Sequence, residues 1–231
     1  VDSSFLLAVA CENLKDRVTA ATAESATFPL RERADAIEFA EKLGVEHIIF
    51  MSDESSIPEF IANSADRCYH CKKALSIRLK KIAEEKGIKH IAFAANTDDL
   101  GDYRPGIEAG KEIGIISPLI DAGLGKEEIR FLSREMGLET WDKPAMACLA
   151  SRIPYGTDIT VKKLRTVEDA EDFLFALGFC QCRVRHHGAV ARIEVDLKDL
   201  QRFMDNDTRN KVINRLKELG FKHVSLDLEG F

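Results

Sequence analysis

Cys148 lies in a stretch of sequence whose residue types suit chemistry, Trp141-Asp-Lys-Pro-Ala-Met-Ala-Cys148-Leu-Ala-Ser-Arg152-Ile-Pro-Tyr-Gly156. Pro144 and Pro154 flank the cysteine. Because proline fixes φ and lacks a backbone donor, these residues disfavour a long helix or a central strand, and we predict a shaped loop. A lone cysteine in such a loop is compatible with three roles: a small buried hydrophobic residue, a nucleophile, or one ligand of a metal centre.

A pair of cysteines occurs in Arg67-Cys68-Tyr-His-Cys71-Lys72-Lys73, at the start of a predicted helix. Cysteines at this spacing point both sulfurs toward one centre, and a helix N-terminus with adjacent lysines favours the thiolate. The pattern is typical of a redox dithiol, of half a zinc site, or of part of an iron–sulfur centre. The sequence has no second CxxC motif, so a zinc site would need His70 or another histidine. Three thiolates on a 4Fe-4S cluster would instead leave one iron open for chemistry.

The other three cysteines are predicted to belong to the core. Cys11 lies in an amphipathic helix pattern, and Cys180 and Cys182 share one face of a predicted strand. Arg183 and Arg185 lie on the opposite face. Two guanidinium groups on one strand face form either a solvated surface or a phosphate clamp, and the pattern alone favours neither.

A polar loop, Asn96-Thr-Asp98-Asp99-Leu-Gly101-Asp102-Tyr103-Arg104-Pro105-Gly106, directly follows another predicted strand. Such a loop is usually a turn. Because it carries three acids, an arginine and an aromatic residue in a short space, it also suits the metal ion of a nucleotide or a charged substrate.

Helices and strands alternate through the first part of the sequence, which predicts βαβ units, a parallel sheet and an α/β fold. Ligands of such sheets bind beyond the carboxyl ends of the strands, here the loops 24–29, 52–71 and 96–106. The predicted helices are 5–15, 30–43, 71–86 and 126–136, and the predicted strands are 17–23, 47–51 and 90–95.

The order of elements changes after Gly156. Two adjacent strands, 180–186 and 189–195, lie between helices 161–177 and 207–219, and a strand 223–228 follows. This order predicts a small α+β domain with an antiparallel pair. We therefore predict two domains, residues 1–156 and 157–231.

The composition fits a globular cytoplasmic protein. Its 231 residues, 45% of them hydrophobic, are enough to bury a sizeable core. No apolar run is long enough to span a bilayer and we recognise no signal peptide, so we expect no membrane partner. Six cysteines without secretory features fit a reducing compartment. The net charge of −6 argues against a broad nucleic-acid-binding surface. Because the sequence begins at Val1 rather than methionine, we expect residues upstream.

Several motifs carry a family resemblance. They are Val1-Asp2-Ser3-Ser4, the segment Thr97-Asp-Asp-Leu-Gly-Asp-Tyr-Arg-Pro-Gly106, the Trp141 to Gly156 stretch, and Arg183-Val-Arg-His-His-Gly188. The first resembles the tail of the SGGxDS pyrophosphate loop of PP-loop ATP pyrophosphatases. The others resemble the LarE family, whose members put sulfur into the pyridinium dicarboxylate mononucleotide that becomes the nickel-pincer cofactor of lactate racemase. The resemblance covers essentially the whole chain.

The resemblance implies a Rossmann-like PP-loop domain that binds ATP and Mg²⁺, with Asp2, Ser3 and Ser4 at the pyrophosphate. ATP would adenylate a substrate carboxylate, and a sulfur nucleophile would then displace AMP and leave a thiocarboxylate. It also implies a small-molecule mononucleotide as partner and a homo-oligomer. The residues implied at the substrate are the anion contacts Arg183, Arg185, Lys73 and Arg104, and Cys148 and Glu171 in catalysis.

Two sulfur sources are known in the family. In one, a pocket cysteine gives up its sulfur and becomes dehydroalanine; in the other, three cysteines hold a 4Fe-4S cluster whose open iron carries a sulfide. Cys68, Cys71 and Cys148 imply the cluster form, because members that sacrifice a cysteine lack the CxxC motif. The rival interpretations are a cluster-dependent tRNA thiolase, which would need a basic RNA-binding surface, and a non-catalytic zinc-binding scaffold.

Overall fold

The computed structural model describes residues 1–101 and 105–231 and divides by internal contacts into two units. The first comprises Val1–Phe60 and Ala65–Met146, and the second comprises Ile61–Ser64 and Ala147–Phe231. The predicted domain boundary lies after residue 156, whereas the second unit starts at Ala147 and includes a short segment from the first half of the chain. None of the helices in the described part of the chain combines the length and apolarity needed to cross a membrane.

The first unit mixes helices with parallel strands, as the predicted α/β class requires. β1 (Thr19–Glu24) pairs in parallel with β2 (Glu46–Met51), with Thr19 opposite Glu46 and Glu24 opposite Met51. The α-helices of this part of the chain are α1 (Asp2–Leu14), α2 (Leu30–Leu43), α3 (Pro58–Ile61), α4 (Arg67–Glu85), α5 (Pro105–Ile113), α6 (Pro118–Asp121) and α7 (Lys126–Glu135). Short 3-10 helices cover Lys15–Arg17, Glu54–Ser56 and Thr97–Gly101.

The helix ends follow the local sequence signals. α2 has the predicted bounds and ends at Gly44, whose φ of 64° lies in the left-handed region that glycine adopts without strain. α1 begins at Asp2, three residues before the predicted start at residue 5. α4 begins earlier than predicted, at Arg67, so that Cys68 and Cys71 both lie near its N-terminus.

The predicted strand 90–95 is wrong. Only a single parallel bridge forms there, between Ala92 and Ile116. The N–H of Phe93 donates to the carbonyl of Ile116 at 3.0 Å, and the N–H of Ile116 donates to the carbonyl of Ile91 at 2.9 Å. Beyond Ile116 the ladder cannot extend, because Pro118, which starts α6, has no N–H to donate.

The second unit packs helices on a three-stranded sheet. β3 (Cys182–His187) and β4 (Val190–Val195) form the predicted antiparallel pair, and β5 (His223–Leu226) runs parallel to β4. α8 (Val161–Ala176) and α9 (Asn206–Glu218) supply the helices, and 3-10 helices cover Leu149–Arg152 and Leu197–Met204. The core of this unit includes Leu174, Val184, Ile193 and Leu216, each at most 1% exposed.

The core prediction fails for one cysteine and holds for another. Cys182 is buried, but Cys180 is exposed and precedes the first residue of β3. Phe179 takes the inward position instead, 1% exposed and stacked on Phe203 at 5.0 Å between ring centroids. Because Phe179 buries far more apolar area than a thiol, its packing decides which neighbour faces solvent. Cys11 is half-buried rather than fully in the core.

Candidate functional site

Asp2, the residue predicted at the ATP pyrophosphate, is contacted by a lysine that the sequence analysis missed. The ammonium group of Lys126 donates to Oδ1 and Oδ2 of Asp2 at 2.7 and 2.8 Å. Nδ2 of Asn96 donates to Oδ2 at 3.2 Å. On the same turn, Ser3 is exposed and Ser4 is half-buried. A helix N-terminus with an adjacent ammonium group suits a phosphate, because backbone N–H groups and the cation both attract negative charge.

The loop that follows the bridge at Ala92 is ordered by backbone N–H groups that donate to its side chains. Oδ2 of Asp98 accepts the N–H of Lys126 at 2.8 Å and so satisfies the start of α7. Oδ1 of Asn96 accepts the N–H of Asp98 at 2.9 Å, and Oδ2 of Asp99 accepts the N–H of Asn96 at 3.1 Å. The predicted anion contact Arg104 lies outside the described residues, as do Asp102 and Tyr103.

Cys68 and Cys71 lie one helical turn apart on α4, and neither is in a disulfide. Cys68 is exposed and Cys71 is half-buried. Sγ of Cys71 lies 4.0 Å from Oε1 of Glu54, a carboxylate that is only 5% exposed. The hydroxyl of Ser52 donates to the same oxygen at 2.8 Å. The i, i+3 spacing puts both sulfurs on one side of the helix, as two ligands of one centre require. The sequence analysis did not find Glu54.

Lys73, a predicted substrate contact, already has partners inside the first unit. Its Nζ donates to the hydroxyl of Tyr69 at 2.9 Å and lies 3.4 Å from Oε2 of Glu112. The hydrogen bond with Tyr69, followed by the one with Glu112, raises the pKa of Lys73. An anionic substrate would compete with Glu112 for this ammonium group, and the substrate contact stays a prediction.

The Cys148 loop, residues 147–153, belongs to the second unit. Residues 143–148 contain neither helix nor strand, as the two prolines predict, and the 3-10 helix Leu149–Arg152 follows. Cys148 is exposed and not in a disulfide, whereas Leu149 and Ala150 are 0% and 1% exposed. The loop is therefore anchored immediately after the cysteine, and the cysteine itself is presented at the surface of its unit.

Glu171, which the resemblance assigns to catalysis, forms a buried ion pair with Arg152. Nε of Arg152 donates to Oε1 of Glu171 at 2.8 Å, and Nη2 donates to Oε2 at 3.1 Å. The arginine side chain is 1% exposed and the glutamate 0%. Glu171 therefore lies inside the second unit and not on a charged outer face of α8. Arg152 stands in a quoted motif, but sequence reasoning assigned it no role because its partner is 19 residues away.

Arg183 and Arg185 share a face of β3 but differ in their partners. Nε and Nη2 of Arg185 donate to the two carboxylate oxygens of Glu194 at 2.9 and 2.8 Å. Among the described residues, the side chain of Arg183 has no hydrogen bond or ion pair, and its guanidinium lies over the ring of Phe231 at 4.1 Å. Burial, followed by the charges of Arg152 and Arg185, lowers the pKa of Arg183. Of the two predicted phosphate contacts, Arg183 is the one whose donors are available to an anion.

Asn63 holds the segment that follows the Cys148 loop, and the sequence analysis missed it. Its side chain is 0% exposed, and Nδ2 donates to the carbonyls of Pro154 at 2.8 Å, Thr157 at 2.9 Å and Ile153 at 3.3 Å. The backbone carbonyl of Asn63 accepts the N–H of Gly156 at 3.1 Å. The backbone of Asn63 has a φ of 54°, a conformation that asparagine tolerates better than most residues.

The three predicted cluster ligands are distributed over both units, Cys68 and Cys71 in the first and Cys148 in the second. Within either unit, the described residues form no group of three or more His, Cys, Asp or Glu side chains that could hold a metal. The donor chemistry fits an iron–sulfur cluster, because such clusters take thiolate ligands and none of the three cysteines is in a disulfide. The three-cysteine centre stays a prediction.

Comparison with known proteins places the chain in a family, although no protein-family model matches it. Over its whole length the chain is 37% identical to the pyridinium-3,5-bisthiocarboxylic acid mononucleotide synthase of Lactiplantibacillus plantarum, of which it covers 83%. The chain belongs to the LarE family. The LarE resemblance seen in the motifs is thereby confirmed, since the matched region spans the whole chain.

Two further relatives extend the comparison beyond the L. plantarum protein. An uncharacterised protein of Synechocystis is 40% identical over the whole chain, which covers 86% of that protein. An uncharacterised protein of Methanocaldococcus jannaschii is 32% identical over 173 residues, 75% of this chain and 67% of that protein. Similarity over most of the chain therefore extends beyond the L. plantarum protein, at 32% to 40% identity.

Proposed function

We propose that this chain is an ATP-dependent sulfurtransferase that converts carboxylates of the pyridinium dicarboxylate mononucleotide into thiocarboxylates, for the nickel-pincer cofactor of lactate racemase. The observation that carries the proposal is the 37% identity to the L. plantarum synthase over the full length of the chain. The second unit supports it locally, because it presents the exposed sulfur of Cys148 together with the half-buried guanidinium of Arg183.

The proposed reaction needs ATP because a bare carboxylate repels nucleophiles and has no usable leaving group. A carboxylate oxygen of the substrate attacks the α-phosphorus of ATP, and pyrophosphate leaves. A sulfur nucleophile then attacks the carbonyl carbon, AMP leaves, and a thiocarboxylate remains. In this proposal the first unit is the Rossmann-like PP-loop domain, and the N-terminus of α1 with Asp2, Ser3 and Ser4 receives the pyrophosphate and its Mg²⁺.

Arg183 is proposed to bind the phosphate of the mononucleotide. A guanidinium group presents paired donors that match phosphate oxygens, and Arg183 is half-buried, so that its attraction for an anion is screened less than at an exposed site. Arg185 contributes by orienting its neighbours, since Glu194 already occupies two of its donors. Lys73 and Arg104 remain proposed as additional anion contacts.

We further propose that Cys68, Cys71 and Cys148 hold a 4Fe-4S cluster. When bound, the cluster would supply an open iron site able to carry a sulfide for transfer. The chain itself would supply the three thiolates, two of them from positions near the N-terminus of α4.

The test is anaerobic purification, followed by iron and sulfide analysis and an assay of ATP-dependent thiocarboxylate formation. We expect about four irons per chain and a brown protein. Cys68→Ala, Cys71→Ala and Cys148→Ala should each lose the cluster and the activity, with folding retained. Cys180→Ala is the matched control, because it removes another exposed thiol and should change neither.

Each alternative has its own result in the same assay. Full activity of Cys148→Ala would refute the assignment of that cysteine. Tightly bound zinc in a colourless, active protein would refute the cluster. Dehydroalanine at position 148, with one product formed per chain, would assign the sulfur to Cys148 itself. Thiolation of tRNA without any thiocarboxylate product would refute the assignment of the mononucleotide as the substrate.

A further inference from the structure

The guanidinium group of Arg152 contacts the backbone that carries Cys148. Its Nη1 donates to the carbonyl of Ala147 at 2.9 Å and to Oγ of Ser151 at 2.9 Å, and lies 3.4 Å from the carbonyl of Cys148. The carbonyl of Cys148 also accepts the N–H of Ser151 at 2.9 Å. Both carbonyl oxygens next to the reactive residue are thus turned toward the interior of the unit, whereas the cysteine itself is exposed.

The opposite edge of the same guanidinium is fixed by Glu171. Nε and Nη2 both donate to this carboxylate, and its Oε1 also accepts the N–H of Val184 on β3 at 3.0 Å. Breaking a buried pair leaves an uncompensated charge, which strongly opposes any movement of Arg152 away from Glu171. A continuous series of contacts therefore leads from β3 through Glu171 and Arg152 to the Cys148 loop.

A second guanidinium holds the other side of the loop. Nη1 of Arg185 donates to the carbonyl of Ser151 at 2.9 Å. Glu194 on β4, whose side chain is 8% exposed, fixes Arg185 through two further bonds. Each arginine that contacts the loop backbone is thus braced by a carboxylate of the second unit.

We propose that Arg152 is a positioning residue for Cys148, and that Glu171 acts through Arg152 rather than by touching substrate. Glu171 has no exposed surface, and both of its oxygens bond to other groups of the chain. The proposal deepens the proposed function, on which it rests for the role of Cys148 in sulfur transfer. It gives Glu171 a different role from the direct one that the family resemblance implies.

Arg152→Lys separates the geometry of this contact from its charge. Lysine keeps the positive charge beside Glu171, but an ammonium group is a compact point charge without the planar fork that reaches the carboxylate and the loop together. We expect the variant to fold, with the N–H of Ser151 exchanging with solvent about tenfold faster. We expect kcat to fall about 10- to 100-fold with KM for the mononucleotide unchanged, since a misplaced reactive group slows the chemical step.

The measurements are hydrogen–deuterium exchange of the peptide that covers the Cys148 loop and the kcat and KM of sulfur transfer. Val212→Ala, at a core position of α9, is the matched control for general destabilisation. It should speed exchange in α9 and leave kcat per folded molecule unchanged. If Arg152→Lys does not fold, the double variant Arg152→Met with Glu171→Leu replaces the pair by apolar groups of similar size, which often preserves stability. It should still free the loop and lower kcat.

Wild-type exchange in the loop of the folded variants would overturn the positioning role. Faster exchange of the loop in a variant that keeps the wild-type kcat would overturn the importance of Arg152 for the reaction. The exchange is measured on protein without substrate, so it tests the contact even if the wild-type protein forms no thiocarboxylate. A wild-type protein that forms no thiocarboxylate would contradict the proposed function and, with it, the importance of Arg152 for sulfur transfer. The exchange data would still show whether Arg152 holds the Cys148 loop.

Discussion

The ammonium group of Lys126 contacts both carboxylate oxygens of Asp2, at 2.7 and 2.8 Å, although 124 residues separate the two in sequence. The contact joins the first turn of α1 to the first residue of α7. If the N-terminus of α1 receives the pyrophosphate of ATP, Lys126 is a cation within reach of the phosphates, and it would exchange Asp2 for a phosphate oxygen when ATP binds.

We predict that Lys126→Gln weakens binding of Mg²⁺-ATP about tenfold, because a charge-assisted hydrogen bond contributes on the order of 1.5 kcal/mol. Stability should change little, since the paired side chains are 31% and 21% exposed and such pairs contribute at most about 1 kcal/mol. Calorimetric titration with Mg²⁺-ATP and urea unfolding measure the two effects. Lys111→Gln, which removes the exposed pair with Glu108, is the matched control. Unchanged ATP affinity in Lys126→Gln would contradict the assignment.

The two arginines of β3 should respond differently to the same substitution. Arg183→Gln should raise KM for the mononucleotide at least about tenfold without lowering stability, because Arg183 gives up no ion pair among the described residues. Arg185→Gln should lower the free energy of unfolding by about 2 kcal/mol, because it leaves the carboxylate of Glu194, 8% exposed, without its bidentate partner. Steady-state kinetics and urea unfolding of both variants check this. Equal effects on KM and stability in the two variants would contradict the distinction.

Asn63 should stabilise the fold in two separable ways, through the hydrogen bonds of its side-chain amide and through its tolerance of a positive φ. Asn63→Gly keeps the accessible left-handed φ but removes the side chain that donates to the carbonyls of Pro154 and Thr157. We expect it to cost about 2 kcal/mol, because buried carbonyls lose their donors. Asn63→Ala should cost about 1 kcal/mol more, because alanine is strained at this φ. Urea unfolding measures both, and an Asn63→Ala variant as stable as Asn63→Gly would contradict the backbone contribution.

Acid should destabilise the protein in part through His186. Burial lowers the pKa of this histidine, with the charges of Lys163 and His187 acting in the same direction. A folded-state pKa below the ordinary value near 6.5 means that the unfolded chain binds the proton better. The stabilising preference for neutral His186 is therefore fully present at pH 7.5 and lost as the pH falls below about 6.5.

The variant His186→Gln should accordingly show a smaller loss of unfolding free energy between pH 7.5 and 5.5 than the wild type. Urea unfolding at a series of pH values measures this. Part of the acid sensitivity should remain, because burial also lowers the pKa of His47. His223→Gln, at an exposed position of β5, is the control. An unchanged pH dependence in His186→Gln would show that the histidine is not responsible.

Local signals in the sequence predicted the parts of the structure that depend on neighbouring residues. The helix that ends at Gly44, the loop around Cys148 and the hairpin of β3 and β4 all follow from proline, glycine and alternation within a few residues. The wrong strand prediction at residues 90–95 has its cause in the partner segment, where Pro118 limits the ladder.

The residues that the sequence could not reveal act across long separations. Arg152 and Glu171 look like ordinary charges until the fold buries them against each other. Glu54 is a loop acid in sequence, yet it is 5% exposed beside Cys71. Periodicity reports which face of an element is apolar, whereas polar partners of this kind are determined by tertiary packing.

The short segment Ile61–Ser64 makes the second unit discontinuous along the chain. A single cut after Met146 therefore cannot release that unit whole, because the fragment 147–231 leaves Asn63 on the other piece. The carbonyls of Pro154 and Thr157 would lose their donor in such a fragment. A gene fusion or a truncation that keeps these hydrogen bonds must carry residues 61–64 along with the C-terminal part.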